Sequence, residues 1–394
     1  MDLESDRIGV VTSGNRAEGM RRANASAVMR AVLGAGQASR AEIARRTGLS
    51  APSVTKLTAS LMEAGLLAEG GAQQPADLGR PSIPVRIERS RRVVLGVHIG
   101  LMRTTLGLVA LDGGPLAQTA LPHKDLSPEG IVGQAAEGVA AFLAGNGGAG
   151  RVLGCGVSIG GWVDGGTVVE HRPLGWTDVP LRALLDGRLP GPVRVEQHVR
   201  ATAEAELWFG AGREADDLVL VFVGQVVDAA IVLNRKIHSG PGSAAGGIDH
   251  LQVAPESGVE CGCGRTGCLI AVASDAAVLA AAGGEPALEP VIAAARDGRE
   301  DMRALLRDRA VMVGRALGTV IDLVNPSRVV LAGGVVQAEE YLDDLRAEAA
   351  RCARRGRDVE GRIGATALGA GALVVAAAAP VLADVLTDPL GVLA

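Results

Sequence analysis

The sequence predicts an α/β protein in two parts: an N-terminal winged helix-turn-helix and a larger, internally duplicated α/β body. Three observations predict it. Two capped helices joined by a turn at Thr47-Gly48-Leu49 occupy residues 39–64, in helix-turn-helix order. From Arg92 onward, apolar strands alternate with helical stretches. Within that body a strand, a glycine and a second strand occur twice, at 93–111 and again at 218–233.

A chain of 394 residues is long enough for two or three domains with sizeable cores. Hydrophobic residues make up 48%, but the aromatics are three Trp, one Tyr and three Phe, so the cores must be Ala, Val and Leu packing. No basic-then-apolar leader opens the chain, and a cytoplasmic location is expected. Charge is uneven: residues 1–92 carry 14 Lys+Arg and nine Asp+Glu, whereas the remainder carries 25 and 35. A basic head on an acidic body suggests that the head meets a polyanion.

Taken in order, residues 1–20 read as a loose polar arm, and Asn24 to Leu33 as a first helix. Ser39 and Glu42 have capping-box spacing, in which each side chain satisfies a free N–H of the other residue. That box starts a helix over Arg40–Arg46 with Ile43 and Ala44 inward. Ser50 caps the next helix, with Pro52 acceptable in its first turn. This helix runs to about Ala64 and turns Val54, Leu57 and Leu61 inward. Pro52, Thr55, Lys56 and Ser60 then face outward, with Ser53 at the margin. Short polar and basic side chains near a helix N-terminus are what base edges and phosphates require. Ser50, Pro52, Ser53, Thr55 and Lys56 are therefore the candidate DNA contacts, and an ordinary three-helix bundle with a solvated face is the alternative. Segment 68–87 reads as a β-wing. In it, Arg80 stands between Gly79 and Pro81, extended enough to enter a narrow minor groove; a plain turn is the other reading.

In the body, strands are expected at 93–99, 104–111, 218–223 and 227–233, with turns at Gly100, Gly224 and Asn234. Ser127-Pro128 should start a helix to about Phe142, and Gly154 to Asp164 reads as a strand and loop. The uncharged run from Ile363 to Ala383 is nominally long enough to cross a bilayer. It is rich in Ala and Gly with Pro380 inside, rather than in Leu, Ile, Phe and Val, so a buried helix is expected and no membrane partner.

His250, Cys261, Cys263 and Cys268 stand in an H-x₁₀-C-x-C-x₄-C pattern. Zn²⁺ favours four nitrogen or sulfur ligands, and Gly262, Gly264 and Gly267 allow the chain to fold them together. Four protein ligands leave no open coordination position, so the zinc expected here is structural. Disulfides or unrelated buried thiols are the alternatives.

At this stretch the chain resembles a family. A-G-G-I-D-H at 245–250 with C-G-C-G-R-T-G-C-L at 261–269 resembles the zinc signature of ROK proteins (repressors, open reading frames, kinases). Gly79-Arg80-Pro81, the N-P-S-R-V-V-L-A-G-G run at 325–334 and Leu368-Gly369 extend the resemblance over nearly the whole chain. It implies an actin-like (RNase H-like) duplicated body. The expected division is an arm at 1–20, a winged helix-turn-helix at 21–90 and a two-lobed body at 91–394 with a zinc loop at 250–268. It also implies a homodimer or homotetramer on inverted-repeat double-stranded DNA, with Arg80 as a DNA contact.

The resemblance departs from the kinases where chemistry would occur. The first phosphate turn, D-x-G-G-T in the family's kinases, is His98-Ile99-Gly100-Leu101-Met102, and the second, G-T-G, is Gly224-Gln225-Val226. The E-N-D-A-N stretch carrying the catalytic aspartate is Glu196-Gln197-His198-Val199-Arg200. Gly247, Ile270 and Pro173 stand where two glutamates and an asparagine would hold sugar hydroxyls. A transcriptional regulator without enzyme activity is therefore expected. Its effector, if any, is something other than a simple hexose, met through His171, Trp176, Gln197 or His198. A residual sugar kinase with His198 as base, or a protein-interaction module without specific DNA binding, are the alternatives.

Overall fold

The computed structural model describes residues 13–71, 83–354 and 358–391. The head consists of α1 (Ser13–Ala35), β1 (Gln37–Ala38), α2 (Arg40–Thr47), α3 (Ala51–Glu63), β2 (Leu67–Glu69) and β3 (Val85–Ile87). The first lobe follows with β4 (Val93–Ile99), β5 (Arg103–Ala110), β6 (Pro115–Pro122), α4 (Pro128–Ala144) and β7 (Val152–Ile159). It continues through β8 (Trp162–Asp164), β9 (Thr167–His171), β10 (Trp176–Val179), α5 (Leu181–Leu185), β11 (Val193–Gln197) and α6 (His198–Phe209). The second lobe opens with β12 (Leu218–Val223), β13 (Val227–Leu233), β14 (Lys236–His238), α7 (Leu269–Ala273), α8 (Asp275–Ala281) and α9 (Leu288–Arg296). It closes with α10 (Glu300–Val324), β15 (Arg328–Ala332), α11 (Leu342–Cys352), α12 (Val359–Arg362), β16 (Ile363–Ala365) and α13 (Ala372–Thr387).

The duplication is visible in the sheets. One has the order β11-β7-β4-β5-β6 and the other β14-β13-β12-β15-β16, five strands each. In both, an antiparallel hairpin (β4–β5, β12–β13) is joined on its first strand to a parallel neighbour (β7, β15). The central strands are mostly apolar, as strands buried on both faces are, with His98, Ser158 and Asp228 as polar exceptions.

The C-terminal run differs from the expectation of one helix. Ile363–Ala365 pairs with β15 as a strand, and the helix begins only at Ala372 and continues to Thr387. A short chain edge beside β15 offers ladder hydrogen bonds that a helix could not use there. Six consecutive residues of α13, Val374 to Ala379, are small or β-branched and all buried. No described helix is long and apolar enough to cross a membrane.

The head differs in two details. Helix α1 starts at Ser13, so eight residues assigned to the loose arm are helical. The Ser39–Glu42 capping box is half formed: the Glu42 N–H donates to Ser39 Oγ at 3.1 Å, while the Glu42 carboxylate accepts from Arg46 instead. The pair with Arg46 is an i,i+4 contact, which competes on equal terms with the cap. Gly79-Arg80-Pro81 lies outside the described residues; its flanks, β2 and β3, pair antiparallel, and β3 also pairs with β1.

Head and body share one apolar cluster. Ala25, Val28, Met29 and Val32 of α1 join Val54 and Leu61 of α3 with Val94, Val109 and the buried residues of α13. Fully burying a Val, Leu or Met side chain contributes about 1.5–3 kcal/mol, so this seam is a substantial contact. Arg22 adds an ion pair to Asp388 at 3.1 Å.

Candidate nucleic-acid interface, metal centre and cleft

The first candidate site is the start of α3. Ser50 is the N-cap, accepting from the Ser53 N–H at 3.4 Å, and the Ser50 and Ser53 hydroxyls lie 2.8 Å apart. Val54, Leu57, Thr58 and Leu61 are buried, which rotates Pro52, Ser53, Thr55 and Lys56 into solvent. Thr55 returns its hydroxyl to the Ala51 carbonyl at 2.9 Å. A helix start with free N–H groups, short hydroxyl side chains and one lysine suits phosphate oxygens and base edges.

The second is the loop after β14. The one donor atom offered by each of His250, Cys261, Cys263 and Cys268 lies within 4.8 Å of all the others. His250 Nδ1 is 3.4 Å from Cys261 Sγ, and the Cys263 and Cys268 sulfurs are 3.6 Å apart. A tetrahedron with metal–ligand bonds of about 2.0–2.3 Å has edges of roughly 3.3–3.8 Å, so the donor set fits zinc. All five cysteines are free, and the disulfide alternative falls. Two of the three glycines do the turning: Gly264 and Gly267 have φ of 85° and 65°, whereas Gly262 needs no left-handed backbone. At Gly267 a side chain is doubly excluded, because a Cβ would strike the Ala254 carbonyl.

The surroundings of the cluster are also those of a metal site. His250 turns Nε2 toward Asp249 Oδ2 at 3.3 Å, the carboxylate contact that orients a ligating imidazole. Hydrogen bonds from Arg265 push the Cys263 thiol down to about 6, whereas burial pushes the neighbouring Cys268 thiol up to about 11. Three thiolates, a neutral histidine and Zn²⁺ would leave one negative charge, and the Arg265 guanidinium is placed to balance it.

The third is the cleft between the lobes. His98, at the end of β4, places Nδ1 3.0 Å from Ser158 Oγ on β7. Its ring is 4.8 Å from that of His198, which in turn meets Phe222 edge-on at 4.8 Å. Burial pushes His198 down to about 4 and His98 well below its usual value, so both rings are neutral at physiological pH. His198 Nδ1 is buried without a partner. Across the cleft, burial raises Asp228 to about 7, and its Oδ2 accepts from Gln197 Nε2 at 2.9 Å.

The four cleft residues named from the sequence are therefore spread over separate duties. Gln197 also caps α6, accepting from the N–H groups of Val199 and Arg200. Trp176 is buried, and its indole donates to the Leu126 carbonyl at 2.8 Å. His171 pairs opposite Trp176 in the β9–β10 ladder and accepts from the Leu174 N–H. Only Gln197 and His198, adjacent in the chain, are brought to the cleft with His98, Ser158 and Asp228. Those last three were missed as a set; Asp228, a carboxylate inside the apolar strand V-D-A-A-I-V-L, was the readable signal.

Leu101 and Met102 shape the first turn. Gly100 closes it by donating to the Arg103 carbonyl at 3.0 Å, and Met102 projects into solvent, 80% exposed. Behind the second turn, Arg309 and Asp275 form a buried pair at 2.5 Å. Arg309 also donates to the Ala273 carbonyl, and the Asp275 N–H donates to the Gly224 carbonyl.

Two duplicated α/β lobes around a cleft, a four-ligand loop and an N-terminal helix-turn-helix define a DNA-binding head fused to an actin-like body. The comparisons with known proteins agree. The ROK family model matches residues 94–383, and an IclR helix-turn-helix domain model matches 23–70. The chain belongs to the ROK family.

Its similarity to transcriptional regulator Rv0485 of Mycobacterium tuberculosis is 33% identity over 330 residues, 78% of this chain and 74% of that one. The N-acetylglucosamine repressor of Escherichia coli O157:H7 is 28% identical over 339 residues, covering 82% and 83%. Among solved structures, a ROK family transcriptional regulator described as a homolog of the E. coli MLC protein superposes with a TM-score of 0.75 at 25% identity. That match covers 94% of this chain and 98% of that one. A ROK family glucokinase from Streptomyces griseus in complex with glucose and AMPPNP gives 0.62 at 27% identity, covering 73% and 98%.

Proposed function

We propose that the protein is a DNA-binding transcriptional regulator whose actin-like body has no kinase activity and carries a structural zinc ion. The observation that carries the reading is the start of α3, where Ser53, Thr55 and Lys56 project from a helix whose other face is buried. Two subunits of a homodimer or homotetramer would place this helix in successive major grooves of an inverted repeat, with Ser50 and Pro52 at the backbone and Arg80 in the minor groove. The division into an arm, a head at 21–90 and a body at 91–394 belongs to the same proposal.

Absence of kinase chemistry is supported by His98 at the first phosphate turn. A neutral imidazole stands in place of the carboxylate a magnesium ion would need, and the ring at the general-base position, His198, lies tilted against it. Zinc, held by His250, Cys261, Cys263 and Cys268, would supply cross-linking rather than reactivity. It would tie the loop bearing Asp249 to α7. The E. coli relative is named for N-acetylglucosamine; here Gly247, Ile270 and Pro173 lack the side chains to pair sugar hydroxyls. An effector of the cleft would therefore meet Asp228, Asp249 and His98, and differ from a simple hexose.

Selection of bound fragments from a random DNA pool, followed by salt titration on the winner, tests the reading. A palindromic site is expected, weakened by Lys56→Ala with a salt slope smaller by about one. If zinc-loaded, folded protein enriches no site, the head is a docking module for protein and the DNA reading is wrong. Sugar-dependent release of ADP abolished by His198→Ala would establish a kinase instead.

A further inference from the structure

We propose that the seam between head and body holds a second ligand site, separate from the interlobe cleft, for a compact phosphate-bearing anion. A cavity of about 850 Å³ lies at this seam, within the size range of small-molecule sites. The head contributes Arg30 and Arg46 to its walls, and the body contributes Arg213, Arg235 and Arg328. Glu214 is the one carboxylate in the lining.

Three of these arginines, Arg30, Arg213 and Arg235, are oriented by groups that leave their charge unmatched. Arg235 sits at the β13–β14 turn with φ of 60°, and donates to the carbonyls of Leu207, Arg213 and Ala215 at 3.1, 3.0 and 2.9 Å. Arg30 lies over the Trp208 ring at 5.4 Å. Arg213 crosses the seam to the Gly34 carbonyl at 3.3 Å. Arg328 has a buried Nε with no partner among the described residues. Among the described residues, Arg46 alone of the five has a carboxylate partner, Glu42 at 2.7 Å.

Carbonyls and an aromatic ring orient a guanidinium without neutralising it. A concave wall then concentrates the potential, and guanidinium forks match phosphate oxygens in geometry. Helix α3, which carries the candidate base contacts, contributes no residue to the lining. An occupant of two or more negative charges would bridge Arg30 and Arg46 of the head to Arg213 and Arg328 of the body. It would relieve repulsion between them and favour one head orientation. By linkage, anion and operator would then change each other's affinity by the same factor. That coupling rests on the regulator reading above, whereas the site itself does not.

The test is calorimetric titration of the full zinc-loaded chain, without DNA, against fructose 1,6-bisphosphate, inorganic phosphate and free fructose. Fructose 1,6-bisphosphate should bind, and free fructose should not. Arg213→Gln and Arg328→Gln, each melting like the parent, should weaken binding about tenfold. Inorganic phosphate binding as tightly, with the same loss in both variants, would support the site and identify free phosphate as its source. No binding of either anion, or equal affinity in both variants, overturns the proposal. So does a separate duplex titration in which both variants lose DNA affinity while keeping the parent's anion affinity, because the seam would then be a groove for the DNA backbone. Since no DNA is present in the anion titration, failure there leaves the regulator reading intact, and failure to find an operator leaves the anion site intact.

Discussion

Gly156 on β7 lies directly beneath the Ala377 carbonyl of α13, so closely that a Cβ on Gly156 would collide with that oxygen. Gly96 stands in the same relation to the Val374 carbonyl, and Gly107 packs against the Val374 side chain. Three glycines on adjacent strands thus let an Ala-rich helix sit on the sheet at backbone distance, and α13 carries that contact on to α1 of the head. Gly156→Ala must move the backbone of a packed helix rather than a side chain. It should cost at least about 1–3 kcal/mol, read as a lower melting temperature. An unchanged melting temperature would mean that α13 is not seated as described.

Arg309 and Asp275 form the buried pair behind the second turn. Burial opposes the charge on both: it pushes Asp275 up and Arg309 down, and each is pulled back by the other. Arg309→Met leaves the carboxylate buried alone and should destabilise by about 3–5 kcal/mol. Adding Asp275→Leu should recover much of that loss. If the single variant unfolds at the parent's denaturant midpoint, the pair is not the brace it resembles.

The cleft predicts a pH dependence. His198 sits at about 4 in the fold against 6.5 ordinarily, so the unfolded chain binds its proton first as pH falls. Stability from this group is complete above about 6.5 and is lost progressively down to about 4, amounting to roughly 3 kcal/mol. Asp228 and Glu204, raised by burial to about 7 and about 8, act in the opposite sense, losing stability as pH rises out of the usual carboxylate range. The difference between parent and His198→Phe isolates the histidine. That difference should shrink between pH 6.5 and 4, and a constant difference would place His198 in water.

The metal loop predicts a loss of order. Cys263→Ala removes one of four donors without touching a core, since the side chain is exposed. Zinc content by atomic absorption should fall, the melting temperature with it, and a strong chelator should reproduce both changes in the parent. Full zinc and unaltered melting in the variant would show that these residues are not the ligand set.

Some of this was legible in the sequence because it is local. Ser50, Pro52 and the Val54-Leu57-Leu61 spacing specify a capped helix and its buried face within four turns of chain. The two strand hairpins were readable for the same reason, as apolar runs broken at Gly100 and Gly224. Where local signals competed, reading was harder. Glu42 had two partners within reach and chose Arg46, and Ile363–Ala365 is as apolar as the helix after it, so periodicity could not separate strand from helix.

What the sequence by itself determined is the set of groups whose partners lie a few residues away: the helix-turn-helix, the paired hairpins and the spacing of Cys261, Cys263 and Cys268. What only the tertiary structure decided is every relationship that spans the chain. His98 meets Ser158 and His198, Arg235 meets Leu207 and Arg213, and α13 meets Gly156 only in the folded chain. Backbone geometry fixes which residues share a face within one helix or strand, because side-chain direction repeats every 3.6 or two residues. It carries no information about which distant face will be opposite, and that choice is made by burial of the whole apolar surface at once.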